Sequence, residues 1–365
     1  MTSKRCTTIM LGLVISVGLT ISSWADMYIT TQITNNSYAD QHPVINNSGH
    51  VVWVGDTDQG DKEIFLYNGS QIIQITDNDV DDVDPDINDA GHIVWMGDTG
   101  TDWEIFYFDG SKITQFTNSD FDDRVPRINN QGQVIWMCDY GSNIDIHYFD
   151  GSELNRLTFN GLAGNNVNDV YPVLNDKGQT AWMRQDSNDF EIVFYDTNTD
   201  TETVLTDNNM DDILPQINNA GHVVWEYENN GIPEIWFYDG VTSTWVTDNA
   251  FKDKNPDIND SDQVVWYADR LTSPDNEIYL FYDIRLNLMI PLSQNLKEDR
   301  YPRINNKAQV VWQSGEGTST EIFLARLQSQ IDKGSGDSGP GGSVGCFVSM
   351  VRGAMSIAGR TTLSY

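Results

Sequence analysis

Cysteine is scarce, with three in 365 residues. Cys6, Cys138 and Cys346 cannot build the framework of bridges that staples small exported domains, so stability has to come from packing. Basic residues are few as well. Lys and Arg total 21 against 54 Asp and Glu, a formal net charge of −33. That excludes nucleic acid as a partner, because a nucleic-acid binder needs a basic footprint, and an anionic lipid surface would repel the chain. It suits solubility, cation binding or a basic partner. No helix-period patterning is present, and no apolar run is long enough to span a bilayer in the mature chain. His/Cys metal spacing, a Gly-x-Ser-x-Gly elbow and a phosphate loop are all missing.

The N-terminus has the grammar of an export signal. Lys4 and Arg5 precede an apolar run from Ile9 to Ile21, and Ser23 and Ala25 are small residues at the spacing signal peptidase requires. Residues 1–25 therefore read as a signal peptide cleaved after Ala25. The mature chain is expected in the periplasm, at the cell surface or outside the cell. Cys6 precedes the run, so it is not a lipoprotein signal, and Cys138 lies in an apolar strand as a small buried hydrophobe.

What fills the chain is one phrase repeated. "DPDINDAGHIVWMGD" recurs as "RVPRINNQGQVIWMCD", "ILPQINNAGHVVWEYE", "DPDINDSDQVVWYAD" and "RYPRINNKAQVVWQSG". Its prolines are Pro43, Pro85, Pro126, Pro172, Pro215, Pro256 and Pro302, at intervals of 42, 41, 46, 43, 41 and 46. A period of about 43 belongs to four-stranded propeller repeats. Each unit has four β-rich segments rich in Val, Ile, Phe, Tyr, Trp and Thr, with Asn and Asp-Gly turns between them. The sequence thus predicts an all-β, seven-bladed β-propeller over residues 26–328. Strand "MYITTQITNN" (27–36) matches the last strand of a unit, and the seventh unit lacks its own. The N-terminal strand should complete the last blade beside residues 321–327.

Each column of the repeat has its own reading. The tryptophans, Trp53 to Trp312, follow two apolar residues in nearly every copy and read as core. The asparagines, Asn46 to Asn305, open the turn between first and second strands and should bond nearby backbone. The aspartates three residues before each proline, Asp40 to Asp299, could form an ion-binding ring or make Asx-type bonds that hold the loop into the first strand. The second role is expected, because a feature present in every blade serves folding. His50, His92 and His222 share one repeat position and are structural on the same argument. A site should lie where the copies differ.

These units resemble the TolB-like family of propeller repeats. That family also runs from a proline strand through an Asp/Asn-Gly turn and an apolar strand to an acidic residue before "I-F/Y-x-x-D", ending in Leu/Ile-Thr. The resemblance covers residues 27 to 328 and implies the propeller fold. The chain has "I-N-x-x-G" where the family has a Ser-Pro-Asp-Gly turn, and it lacks the N-terminal α/β domain of TolB itself.

Strand order places the loops before the prolines, and the turns between second and third strands, on one variable face. That face is polarised. Residues 76–85, 117–126 and 206–215 are acidic, whereas Lys252, Lys254, Lys297 and Arg300 make the other side basic. Its largest irregularities are residues 159–172 and 268–279, which carry Asn165 and Arg270. Trp103, at a turn tip, could stack on a sugar or pack at its strand start. The candidate binding set is Trp103, Lys252, Lys254, Arg300, Asn165 and Arg270. Asp77, Asp79 and Asp81 alternate as calcium-ligand loops do, without the sharp-turn Gly or distal Glu. No cofactor is firmly implied beyond possible Ca²⁺. The expected function is a binding or interaction scaffold for a protein or glycan of the cell envelope or exterior. A polysaccharide-acting propeller hydrolase or lyase and a structural envelope component are the alternatives.

Residues 329–345 are Gly- and Ser-rich and read as a flexible linker. The tail, 346–365, begins "CFVSM", and linker plus "GCF" resembles the Cys-Phe-Ile boxes that end some exported bacterial proteins. It reads either as a processing or attachment signal using Cys346 or as a disordered end.

Overall fold

A computed structural model describes residues 28–159, 167–185, 189–269, 275–283 and 288–330. The expected signal peptide, linker and tail lie outside these residues almost entirely. Seven four-stranded antiparallel blades form a ring. In the first blade the strands run Asp40–Ile45, Val51–Asp56, Lys62–Tyr67 and Ile72–Gln74, hydrogen-bonded in that order from the axis outward. The seventh blade joins both ends of the ring. Tyr28–Gln32 pairs antiparallel with Glu321–Leu327, setting Tyr28 against Leu327 and Gln32 against Phe323. The closure expected from the unmatched last unit is therefore present. The chain divides at Leu327, and a second unit starts at Gln328.

All seven repeat tryptophans are buried on the second strands. Trp53 stacks on Phe65 of the third strand at 5.9 Å between centroids, and Trp95–Phe106, Trp266–Tyr279 and Trp312–Phe323 repeat the arrangement. Between blades the packing is apolar. At the closure, Val311, Ile322 and Leu324 of the last blade meet Ile45, Val51 and Trp53 of the first. The second strands are apolar on both faces because each face lies against another blade.

The aspartate column supports this core, though not through the backbone bonds expected of it. Asp40 Oδ1 accepts from Trp53 Nε1 at 2.8 Å, and the same bond joins Asp82 to Trp95, Asp123 to Trp136, Asp212 to Trp225 and Asp253 to Trp266. The other oxygen takes the side chain four residues upstream, as Asn78 donates to Asp82 at 2.6 Å. In the fourth blade Arg184 takes Asp169 instead. The acidic residue opening the third strand ties down the same loop. Glu63 Oε1 accepts from Asn78 N at 2.6 Å, while Thr76 Oγ1 accepts from Ile64 N at 2.8 Å. In five blades the buried indole is thus bonded to a carboxylate, which avoids the cost of an unpaired N–H, whereas Trp182 Nε1 and Trp312 Nε1 have no hydrogen-bond partner among the described residues.

The asparagine column does more than close its own turn. Asn46 Oδ1 accepts from Ser48 N and His50 N, as read from sequence. Its Nδ2 donates to the main-chain oxygen of Asn88 in the next blade at 2.9 Å. Asn88 donates to Asn129, and so on round to Asn305, which returns to Asn46 at 2.8 Å. A second circuit runs through the next residue of each turn, where the N–H of one blade meets the side-chain oxygen of its neighbour. Asn47 N bonds Asp89, Asp89 N bonds Asn130, and Asn306 N closes onto Asn47 at 2.7 Å. Asp89 Oδ2 also accepts the amides of both Asn47 and Asn130 at 3.0 Å. The tight-turn face is therefore knitted by side-chain hydrogen bonds between every pair of neighbouring blades.

Two outcomes follow for stability. Deleting residues 28–34 strips the outer strand and Thr34, whose hydroxyl accepts from Ile322 N at 2.9 Å. The melting midpoint should fall well beyond the about 2–4 °C that 1 kcal/mol moves a large domain. A truncated chain melting within about 2 °C of the parent would refute closure as a requirement of the fold. The carboxylates set a pH dependence. Burial pushes Glu63, Asp212 and Asp253 up to about 7, opposed by their hydrogen bonds, with the facing carboxylate adding to the rise. A carboxyl raised in the folded chain holds its proton better there than in the unfolded chain. Its contribution is complete below the unfolded value of about 4 and is lost as pH climbs through about 7. The midpoint measured by calorimetry should be higher at pH 5 than at pH 8, with a smaller difference in Asp212→Asn. Equal midpoints at the two pH values would mean that burial does not hold these protons.

Candidate functional site

The variable face is built on Asx turns. Among the described residues, Asn or Ser caps the backbone N–H two residues on in six of the loops leading into inner strands, as in Asn36 to Tyr38 N at 2.7 Å, Ser119 to Phe121 N at 3.1 Å and Asn249 to Phe251 N at 2.6 Å. The capped residue stands at the tip of its loop. Tyr38 is 38% exposed, Phe121 41% and Phe251 36%, and Leu296, beside the capped Lys297, is 92% exposed. Apolar groups on tips fixed by hydrogen bonds form a rim around this face. The sequence reading took these loops only for their charge. The signal available was the apolar residue in each Asn-x-Φ-x-Asp stretch.

The sequence candidates within the described residues fall on or near this rim. Lys252 opens its inner strand opposite Asp269, and Lys254 faces Tyr267 across the ladder. Arg300 holds the same repeat position as Lys254 in the adjacent blade and pairs with Glu298 at 3.0 Å. Phe251 and Leu296 precede Lys252 and Lys297 in sequence, so one sector joins apolar tips to basic side chains. Trp103 begins the third strand of the second blade, half-buried, with its main-chain N–H donating to Asp122 Oδ1 at 2.9 Å. Asn165 and Arg270 lie outside the described residues. Asp77 and Asp79 are exposed, and Asp81 Oδ1 accepts from Lys62 N at 2.9 Å. Among the described residues no three His, Cys, Asp or Glu side chains converge as a metal cluster.

The second candidate surface is inside the ring. A channel of about 720 Å³ is lined by all seven inner strands. Every inner strand carries a bulge at its proline, with the register shifting across it. The residue before each proline sits at positive φ, from 52° at His42 to 55° at Asp84, and even the β-branched Val125 adopts 53°. Such a conformation is strained for a non-glycine residue and is worst for a β-branched one. The extra residue of the bulge brings both neighbours of the proline to the channel wall. These two columns vary from blade to blade in size and charge: His42, Asp84, Val125, Tyr171, Leu214, Asn255 and Tyr301 before the proline, and Val44, Asp86, Arg127, Val173, Gln216, Asp257 and Arg303 after it. This is the asymmetric position that sequence columns did not expose.

The polar members are tied to the fold and to each other. Asp86 Oδ2 accepts from Ile128 N at 2.8 Å, and Asp257 Oδ2 accepts from Ile304 N at 2.8 Å, each reaching to the next blade. Arg127 Nη1 lies 3.5 Å from Asp84. Burial raises Asp257 to about 6, opposed by Arg303, and burial raises Asp86, opposed by Arg127. His42 packs edge-on against Tyr301 at 4.7 Å, and burial lowers its pKa. Elsewhere, His222 Nδ1 meets Asp262 at 2.7 Å, a contact within the tight-turn face, and Tyr140 meets His147 Nε2 at 2.8 Å in the third blade.

No family model matches the chain, and no curated protein matches it in sequence. Solved structures do share its architecture. A puromycin-hydrolysing peptidase of Mycobacterium tuberculosis superposes with a TM-score of 0.60 at 11% identity over 76% of this chain, which spans about half, 49%, of that one. Oligogalacturonate lyase from Vibrio parahaemolyticus gives 0.62 at 10% identity over 82% of this chain and 94% of that one. TolB from Acinetobacter baumannii reaches 20% identity over 56% and 53% of the two chains, but its TM-score of 0.44 carries no argument. Among the described residues no helix is long and apolar enough to cross a membrane. The likeness is one of fold: the chain is a seven-bladed β-propeller scaffold.

Proposed function

We propose that the protein is an exported binding scaffold of the cell envelope or exterior, which engages a macromolecular partner through its loop-rich face. One observation carries the reading. The two faces are built to opposite ends: the tight-turn face spends its polar groups on bonds between blades, while the other holds Tyr38, Phe121, Phe251 and Leu296 out on capped tips. Exposed apolar groups beside polar ones are the usual mark of a binding surface. The basic sector of Lys252, Lys254 and Arg300 suits an acidic region of the partner, with Trp103 on the far side of the same face. The TolB-like repeat pattern and the N-terminal signal read from sequence support an envelope or extracellular setting.

A second reading has an observation of its own. Asp86 and Asp257 face one channel with their pKa values raised by burial, an arrangement that suits proton transfer in an enzyme. Their bonds to Ile128 N and Ile304 N give both a structural task as well.

The test is a screen of the immobilised protein against envelope proteins and glycans. A partner found in this way should lose affinity about tenfold or more when Phe251 and Leu296 are changed together to Asp, as anchors in an interface do. Lys252→Glu with Lys254→Glu should slow association, most strongly at low salt. Val241→Arg, on an exposed Asp-Gly turn of the opposite face, should change nothing. A partner indifferent to the loop variants and lost in Val241→Arg would move the site to the other face.

A further inference from the structure

The channel divides into two walls. Tyr171, Val173 and Leu214, from the fourth and fifth blades, make one wall mostly apolar. Asp86, Arg127, Asp257 and Arg303 make the other polar. On the polar wall the donors and acceptors do not balance. Asp86 and Asp257 each accept a main-chain N–H, and Asp84 has Arg127. The guanidinium of Arg303, with five N–H donors, is used only once among the described residues, by Nη1 to the carbonyl of Pro302 at 3.1 Å, and enters no ion pair there. Arg127 repeats this contact, Nη1 to Pro126 O at 2.7 Å, with Asp84 at the long distance of 3.5 Å. Burial lowers the pKa of Arg303, opposed by the nearby charge of Asp257, with Arg127 adding to the fall and Asp86 and Asp84 resisting it. The carboxylates thus offset the charge of the two guanidinium groups, but most of the N–H donors of Arg303 meet no hydrogen-bond acceptor among the described residues.

We propose that the central channel is a binding site for a small organic oxyanion, a carboxylate or a phosphate ester, held by Arg303 and Arg127 with its body against Tyr171, Val173 and Leu214. The fork of a guanidinium matches the two oxygens of either group. A cavity of about 720 Å³ is the size of sites for small ligands, and a mixture of apolar lining with a few placed polar groups is their usual make-up. The strain at the seven prolines gains a purpose here, since the bulge is what lets each blade put two different side chains into the channel. The site is separate from the loop tips, so it stands or falls independently of the partner surface.

Calorimetric titration of the full chain with benzoate, phenyl phosphate and neutral benzamide tests this. At least one of the two anions should bind at a single saturable site, and benzamide should bind about tenfold or more weakly, the usual loss for a hydrogen bond to a charged group. Arg303→Gln should abolish that discrimination. Leu214→Tyr fills the apolar wall without touching a charge. It should weaken the anion as well, and it is tolerated in principle because Tyr171 and Tyr301 occupy the same column with the same backbone. Circular dichroism and the melting midpoint establish that both variants fold, and either variant alone suffices to decide. Benzoate and phenyl phosphate binding no better than benzamide, failing to bind at all, or binding both variants as they bind the parent would overturn the proposal.

Discussion

Seven asparagine side chains, each donating to the main chain of the next blade's asparagine, fix how far apart the blades stand. Everything else in the ring depends on that spacing. The tryptophans can stack against their third-strand aromatics and still meet the neighbouring blade only if the inner strands keep a constant separation at the axis. Apolar packing is tolerant of sliding, whereas a hydrogen bond in a buried turn is not, because a displaced amide leaves two polar groups unsatisfied. The core gives the blades their cohesion, and the turn circuits give them their places.

The division of labour explains which parts of the molecule were legible in sequence. Residues that every blade needs repeat with the blade. Trp53, Asn46, Asp40 and Glu63 each announce six counterparts, and from them come the fold, the blade number and the closure of the ring by Tyr28–Gln32. The partners of those residues were harder to see. That Asp40 serves an indole and that Asn46 reaches the next blade are facts of tertiary geometry, since the bonded groups are 13 and 42 residues apart. Nothing local to "NDAG" distinguishes an amide that caps its own turn from one that also holds a neighbour.

The site was the least legible part for a related physical reason. A residue before proline is ordinarily extended, so His42, Tyr171 or Tyr301 would be read as alternating along a regular strand. The bulge changes which side chains reach the axis, and it shows only in the register. Variation in that column looks like noise between copies until the column is known to line a channel. The apolar loop tips escaped for a different reason. They sit among so many aspartates that the charge of each loop dominated its character, although Phe121 and Phe251 are held out by caps as regular as any in the fold.

The second turn circuit has an arithmetic of its own. Its members alternate, Asn47, Asp89, Asn130, Asp176, Asn219, Asp260, Asn306, and each aspartate receives the amides of the asparagines on both sides, as Asp176 does from Asn130 and Asn219 at 3.0 Å. Strict alternation closes only on an even count. With seven members two asparagines must meet, and they do so between Asn306 and Asn47, at the junction where the last blade follows round to the first. The ring thus carries a single mismatch that marks its starting point. One additional blade with an aspartate in this turn would erase it, and the loss or gain of blades two at a time would preserve it. Any ring with an odd number of blades and this alternation must carry one such junction, so the turn circuit records the parity of the blade count.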